Sequence, residues 1–148
     1  EVSGKTHLRV SFSVTTDRED VRRVFEPHCA GIGERWETIR ILREAGIPVT
    51  ATLAPILPCD TDALLDRAML ATFGPVVGDP LHVREVKRTG ATTREPAHAI
   101  CRKHGWGEWL EPDFQREVLE RMRLRADSAG REFVWGPAGF GRLLTPGT

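Results

Sequence analysis

Apolar and polar side chains alternate strictly between residues 8 and 15. One face would carry Leu8, Val10, Phe12 and Val14, and the other would carry Ser11, Ser13 and Thr15. A period of two residues is typical of a β-strand, because successive side chains point to opposite sides of the sheet. The pattern therefore predicts a strand with one apolar face and one polar face.

After this strand the apolar positions change to helical spacing. Thr16, followed three residues later by Glu19, forms a capping-box pattern that predicts a short helix over about residues 17–25. Apolar residues then recur at helical intervals over residues 36–45, and Gly46 follows as a helix-ending glycine. The chain thus passes from a strand through two helices.

Two further strand signals follow. Residues 47–54 predict a second strand, which Pro55 would close because proline cannot donate to a strand ladder. Asp60 or Thr61 can cap the next helix. Residues 75–78 are short and apolar and predict a third strand.

The C-terminal third of the chain is mainly helical in pattern. Residues 81–90 fit either an extension of the third strand or the start of a helix, and residues 95–103 predict a helix. Pro112 stands at a favoured first helical position, and a long amphipathic helix is expected up to about residue 130. The tail from Arg131 is expected to pack as an irregular cover.

The alternation of strands and helices sets the fold class. Crossovers of this length imply parallel strands joined by right-handed crossover helices, so the class is α/β. With 148 residues, a single domain over residues 1–148 is expected. Three strands are fewer than a complete doubly wound sheet or barrel uses, so we expect a piece of a larger fold.

Composition narrows the choice of partners and compartment. Twenty-one basic and 21 acidic side chains cancel, so no general attraction to nucleic acid is expected. No apolar run is long enough for a bilayer, and the first residues lack a signal-peptide layout, so we expect a cytoplasmic protein without membrane contact. The three cysteines have no paired spacing and are expected to be free thiols.

The order of several segments resembles the second half of the radical S-adenosylmethionine (SAM) domain in the spore photoproduct lyase, or DNA repair photolyase-like, group. The segments are the polar-faced strand at residues 10–16, Glu26-Pro27, Glu34-Arg35, residues 39–48 reading IRILREAGIP, and residues 54–58 reading APILP. The resemblance covers residues 8–105, about two thirds of the chain.

The resemblance implies a partial (β/α) barrel in residues 8–105, followed by a C-terminal helix and cover in residues 106–148. It also implies SAM and a [4Fe-4S] cluster, reductive cleavage of SAM to a deoxyadenosyl radical, and hydrogen abstraction from a DNA lesion or another substrate. In that family a CxxxCxxC loop holds the cluster, and this sequence contains no such spacing. We therefore expect a catalytically incomplete fragment that binds neither group alone and that pairs with a missing N-terminal half.

The same resemblance assigns candidate cofactor-binding residues at the strand ends. They are Ser11, Ser13 and Thr15 for the ribose or methionine part of SAM, Glu26 and Arg35 for its amino and carboxylate groups, and Thr52, Ala54 and Pro55 for adenine. The hydroxyls could equally belong to an ordinary polar strand face. Glu26 and Arg35 could instead pair with each other across a loop.

A second candidate function rests on local charge. Residues 84–103 contain six basic side chains against two acidic ones, and Arg84, Lys87 and Arg88 are the best candidates for DNA contact. A solvated helix face explains the same pattern. The alternative function is therefore a non-catalytic α/β module that binds nucleic acid or protein.

Three further features bear on metal binding, base stacking and assembly. Cys101 with His104, and His28 with Cys29, lack the paired spacing of a structural zinc site, so no metal ligands are expected. The four tryptophans could stack on bases or pack in the core. A half barrel would leave two sheet edges and an apolar strand face uncovered, so we expect a homo-oligomer.

Overall fold

The computed structural model describes residues 8–82 and 94–144, which form an α/β fold with a four-stranded parallel sheet. The strands are β1 (Val10–Ser13), β2 (Val49–Ile56), β3 (Val76–Pro80) and β4 (Phe133–Trp135). The helices are α1 (Glu19–Phe25), α2 (Ile32–Glu44), α3 (Thr61–Ala71), α4 (Arg94–His104), α5 (Pro112–Ser128) and α6 (Gly136–Leu144). A 3-10 turn at Gly107–Leu110 joins α4 to α5.

The strands lie in sequential order, β1-β2-β3-β4, and every neighbouring pair is parallel. The prediction of parallel strands with crossover helices is confirmed. Because right-handed crossovers between sequential neighbours all return on the same side, α2, α3 and α5 cover one face of the sheet.

That covered face contains the main hydrophobic core. Leu53 of β2 and Phe133 of β4 pack with Ile39 of α2, Leu65 of α3 and Met122 of α5, and each is at most 2% exposed. Burial of apolar area on this scale is the main force that holds helices against a sheet.

The opposite face of the sheet is polar at the β1 side. Ser11 and Ser13 are exposed there, whereas Val10 and Phe12 turn toward the core. The expectation that an apolar strand face would be left uncovered is therefore wrong. The crossover helices cover the apolar face. The hydroxyl-bearing face is open at β1, whereas farther along it Thr52 and Val77 are buried and α6 packs against Val134.

The described part of the tail, residues 131–144, is regular, not the irregular cover that the glycines and prolines of the tail suggested. Phe133–Trp135 adds β4 to the sheet, and Gly136–Leu144 forms α6, which contacts β3 and β4. Three residues with little local signal become a strand because β3 offers them a parallel partner, with Val77 opposite Val134.

Local signals at helix ends were correct in some places. Gly46 adopts a φ of 77° just after α2, a conformation that glycine adopts without steric cost. Asp60 caps α3 by accepting from the backbone amides of Asp62 and Ala63. The helix expected at residues 95–103 is α4.

The capping box predicted at Thr16 and Glu19 is wrong. Arg18 stands at the N-cap of α1 without a side-chain cap. The Thr16 hydroxyl instead donates to the Pro58 carbonyl oxygen at 2.8 Å, and it accepts from the Arg18 amide at 3.1 Å. The hydroxyl oxygen, which a helix cap would use as an acceptor, receives the Arg18 amide and not an amide from the first turn of α1.

Pro55 does not end the second strand, which continues to Ile56. The ladder between β2 and β3 shifts register between Leu53 and Ile56, and the Ala54–Pro55 peptide bond is cis. A register irregularity accommodates a residue that has no amide donor.

None of the described helices combines the length and hydrophobicity that a membrane span requires.

Candidate functional site

The candidate residues lie at the C-terminal ends of β1 and β2. Parallel pairing continues beyond β1, because the Val14 amide donates to the Thr52 carbonyl at 3.0 Å and the Leu57 amide donates to the Thr15 carbonyl at 2.9 Å. Thr15 is thereby held beside the last residues of β2. In parallel α/β folds this end of the sheet is where ligands bind.

We call the C-terminal ends of β1 and β2, with the side chains around them, the rim. Three hydrogen-bonded side chains lie at its centre. The Thr15 hydroxyl donates to Glu26 Oε2 at 3.0 Å, and Arg35 Nη2 donates to the same oxygen at 2.6 Å. Thr15 is buried, and the side chains of Arg35 and Glu26 are 7% and 18% exposed. Glu26 and Arg35 therefore pair with each other, as one of the two sequence interpretations held.

The other nitrogens of Arg35 bind the backbone around the rim. Nε donates to the Ala30 carbonyl at 3.0 Å, and Nη1 lies 3.5 Å from the Ser13 carbonyl. The guanidinium thus ties β1, Glu26 and the start of α2 together. Removing it would leave a partly buried carboxylate and two carbonyls without their donor.

Ser13 completes the rim on the open face of the sheet. Its hydroxyl donates to the Ala54 carbonyl at 3.3 Å, next to Pro55. Ala54 and Pro55 are half-buried, and Ser13 is exposed. The structure therefore brings Ser13, Thr15, Glu26, Arg35 and Ala54 into one connected group.

Besides Pro55, which follows Ala54 directly, two candidates lie outside this group. Ser11 is exposed on the same face but pairs with Thr50, nearer the start of the strands. Thr52 is only 6% exposed. A ligand at the rim could reach Ser13 more readily than either of them.

Sequence reasoning missed the two residues that shape the loop after α1. Arg22 is buried and donates through Nη1 to the carbonyls of Glu26 and Cys29, at 3.0 and 2.9 Å. Glu19 binds Arg22 Nε at 2.5 Å and accepts a hydrogen bond from the Ile32 backbone amide at 3.1 Å. The hydrogen bond from Ile32 lowers the pKa of Glu19. The available signal was a Glu–Arg pair three residues apart on one helix.

A second, smaller apolar cluster packs beside the rim. Val21, Leu57, Leu81 and Cys101 are at most 2% exposed and join α1, the strand ends and α4. Trp106 flanks this cluster and stacks on Phe25 with ring centroids 6.0 Å apart. The strand ends are therefore backed by a close-packed apolar layer.

The cysteines do not converge. Cys29 is exposed, Cys59 is partly buried and Cys101 is buried. Burial raises the pKa of Cys59 and of Cys101, which opposes the thiolate form that a metal needs. The described residues contain no group of three potential metal ligands.

The candidates for nucleic-acid contact receive no structural description. Arg84, Lys87 and Arg88 lie outside the described residues. Trp36 and Trp109 belong to the core, at 9% and 8% exposure, so they are not open to stack on bases.

The chain matches no protein-family model, no curated protein and no solved structure at a significant level.

Proposed function

We propose that this chain forms one wall of the SAM-binding site of a radical SAM enzyme similar to spore photoproduct lyase. The observation that carries the proposal is the Thr15–Glu26–Arg35 chain at the C-terminal end of β1. It places a carboxylate and hydroxyls at the end of a parallel sheet where cofactors bind.

The arrangement of the sheet supports the same proposal. Four sequential parallel strands with crossover helices on one face resemble consecutive units of a (β/α) barrel. The β1 hydroxyls lie on the other face, where α6 packs against β4. The sheet would be one segment of a partial barrel, with α5 as the C-terminal amphipathic helix on its outer side. The open Ser11 and Ser13 face would then line the interior.

Glu26 and Ser13 are the groups that would contact SAM. In the described structure Glu26 Oε1 accepts no hydrogen bond, so this oxygen could accept from the amino group of the cofactor. Ser13 would bond the ribose or the methionine part. Arg35 has its Nε and both Nη atoms engaged, so its role is to position Glu26.

The residues fit SAM but not the iron-sulfur cluster. Carboxylate and hydroxyl groups suit an amino-acid cofactor with a ribose, whereas the described cysteines stand apart. In radical SAM enzymes the bound cofactor supplies a radical that removes hydrogen from the substrate. The cluster ligands would come from the other half of the barrel.

Titration of the isotope-labelled chain with millimolar SAM, followed by amide NMR shifts, tests the proposal. We expect weak binding, with a dissociation constant on the order of 1 mM because one wall alone makes few contacts. The shifts should be confined to residues 13–16, 26–35 and 52–57. Shifts scattered over the surface would contradict the proposal.

Glu26→Gln separates the role of the carboxylate from general damage. We expect it to weaken SAM about fivefold or more while leaving 5′-methylthioadenosine unaffected, since that ligand lacks the α-amino group of the methionine part. Glu120→Gln on α5 is the matched control. Equal weakening of both ligands would show that Glu26 supports the fold and does not bind the cofactor.

A further inference from the structure

A groove runs along the outer surface of the molecule between α2 and α3. Its walls include Gly33, Trp36 and Arg43 from the α2 side and Arg67, Leu70 and Phe73 from the α3 side. The α2 residues recur at three- and seven-residue intervals, so they form one stripe along the helix. The cavity volume is about 530 Å³.

Large apolar side chains flank this groove and remain open to solvent. Leu70 is 74% exposed and Phe73 is 77% exposed, while the Trp36 ring lies 9% exposed in the wall. Two large apolar side chains beside an apolar wall are the usual marks of a protein interaction site.

The groove also carries positive charge that the described residues do not neutralise. Arg67 and Arg43 have no carboxylate within ion-pair distance in the described part of the chain, and they lie over Trp36 at 5.8 Å and over Phe73 at 4.3 Å. The acidic residues of the groove, Glu37 and Glu44, are both paired with Arg40. A chain with zero net charge thus presents a locally basic, apolar surface here.

The missing side chain at Gly33 keeps one end of the groove open. A Cβ built at this position meets nothing within 4 Å. Grooves between two helices receive amphipathic helices, whose apolar anchors recur every three or four residues. The two arginines would oppose acidic residues on such a helix.

We propose that the α2–α3 groove binds an acidic amphipathic helix of a partner protein. Apolar anchors of the partner pack against Trp36, Leu70 and Phe73. Its carboxylates pair with Arg43 and Arg67. The positive charge at the edges selects against basic helices.

Selection of a random peptide library on the immobilised chain tests the occupant. We expect the enriched peptides to carry several Asp or Glu residues together with Leu or Phe at helical spacing. Enrichment of basic or neutral peptides would overturn the proposal. A short DNA duplex that displaces the selected peptides from the groove would also overturn it.

Two variants locate the binding. Gly33→Phe fills open space, so the fold should persist while the selected peptides bind about tenfold or more weakly. Arg67→Glu should weaken them by about tenfold through charge reversal, and Arg116→Glu on α5 is the charge-matched control. Fluorescence anisotropy measures the affinities, and circular dichroism checks the fold. Unchanged affinity in Gly33→Phe would place the peptides elsewhere and refute the proposal.

Discussion

At the scale of single residues, the position of Gly78 has no room for a side chain. Gly78 of β3 lies beside the ring of Phe133, and a Cβ at this position would stand 2.6 Å from Cζ and 2.8 Å from Cε2. Phe133 is 2% exposed in the core and has little room to move aside. Glycine is needed here for space, since its φ is not positive.

We predict that Gly78→Ala lowers the free energy of unfolding by about 1–3 kcal/mol, because the added methyl group overpacks the core. Gly33→Ala is the matched control. Its Cβ enters open space in a helix, so we expect a change between zero and a gain of about 1 kcal/mol. Urea titration measures both, and equal stability of the two variants would contradict the prediction.

Arg131 illustrates a different residue-scale role. Its guanidinium donates to the carbonyl oxygens of Met69, Thr72 and Gly74, at 2.6, 3.0 and 2.7 Å. These carbonyls lie in α3 and in the turn before β3. One side chain from the segment before β4 therefore caps the end of a helix that lies about 60 residues earlier in the sequence.

We predict that Arg131→Met destabilises the protein by about 1–3 kcal/mol, because several carbonyls lose a charged donor at once. Arg40→Met removes an arginine whose ion pairs with Glu37 and Glu44 are exposed and screened by solvent, and it should cost clearly less than Arg131→Met. Thermal unfolding distinguishes the two. A larger loss for Arg40→Met would refute this reasoning.

At the scale of elements, ion pairs join α3 to α5. Arg121 binds Asp62 through Nε and Nη2 at 2.9 and 2.7 Å, and Arg125 binds Asp66 through Nε and Nη2 at 2.7 and 2.5 Å. The hydrogen bonds from these arginines lower the pKa of both carboxyl groups. The two helices are otherwise held by the apolar contacts of the core.

This pairing makes part of the stability dependent on pH. Because the folded-state pKa values of Asp62 and Asp66 are lowered, their contribution is present above the unfolded pKa of about 3.9 and is lost as pH falls through the folded values. We predict that Asp62→Asn combined with Asp66→Asn flattens the loss of stability below about pH 4.

Urea titrations at a series of pH values measure this effect. Asp127→Asn removes a carboxylate that pairs with Arg123 of the same helix, α5, in the described structure. This change should leave the acid dependence closer to that of the unmodified chain. An acid slope that is unchanged in the double variant would contradict the prediction. The effect should also weaken in high salt, since both pairs are partly exposed.

At the scale of the whole molecule, the open edge of the sheet at β1 is the feature that bears on association with other chains. In the described structure β1 has a neighbour on one side alone, which is β2. The Val10 and Val14 amides donate to the β2 side, so by alternation the Ser11 amide faces the open edge. An open edge of this kind can pair with another chain.

We predict that the chain self-associates through this edge, and that Ser11→Pro shifts it toward monomer by removing an edge-facing donor. Light scattering at increasing concentration measures the mass. Gly33→Phe is the control and should not change it. A strict monomer at high concentration would rule out the prediction, and circular dichroism would show whether Ser11→Pro keeps the fold.

Much of the fold could be predicted from local patterns. Three features depend on residues close in sequence and could therefore be predicted: the alternation at Val10 to Val14, the cap at Asp60 and the positive φ of Gly46. β4 was missed because three residues carry too little periodicity and gain their pairing from β3. The Thr16 cap was wrong because α1 begins later, at Glu19, and Thr16 is held by a bond to Pro58, 42 residues away.

The candidate site divides in the same way. Ser13, Thr15, Glu26 and Arg35 could be named from sequence order, but their hydrogen bonds could not. Whether Glu26 and Arg35 were both available to a cofactor or paired with each other depended on how the loop after α1 folds back, and the buried Arg22 holds that loop.

By itself the sequence determined the alternation of strands and helices, and with it a parallel α/β sheet, because side-chain periodicity and crossover length are local properties. Only the tertiary structure decided which face of β1 stays open, that a fourth strand pairs with β3, and that Arg35 binds Glu26. Those outcomes depend on contacts between residues far apart in the chain, and the contact that a polar group makes depends on which partner the fold brings within reach.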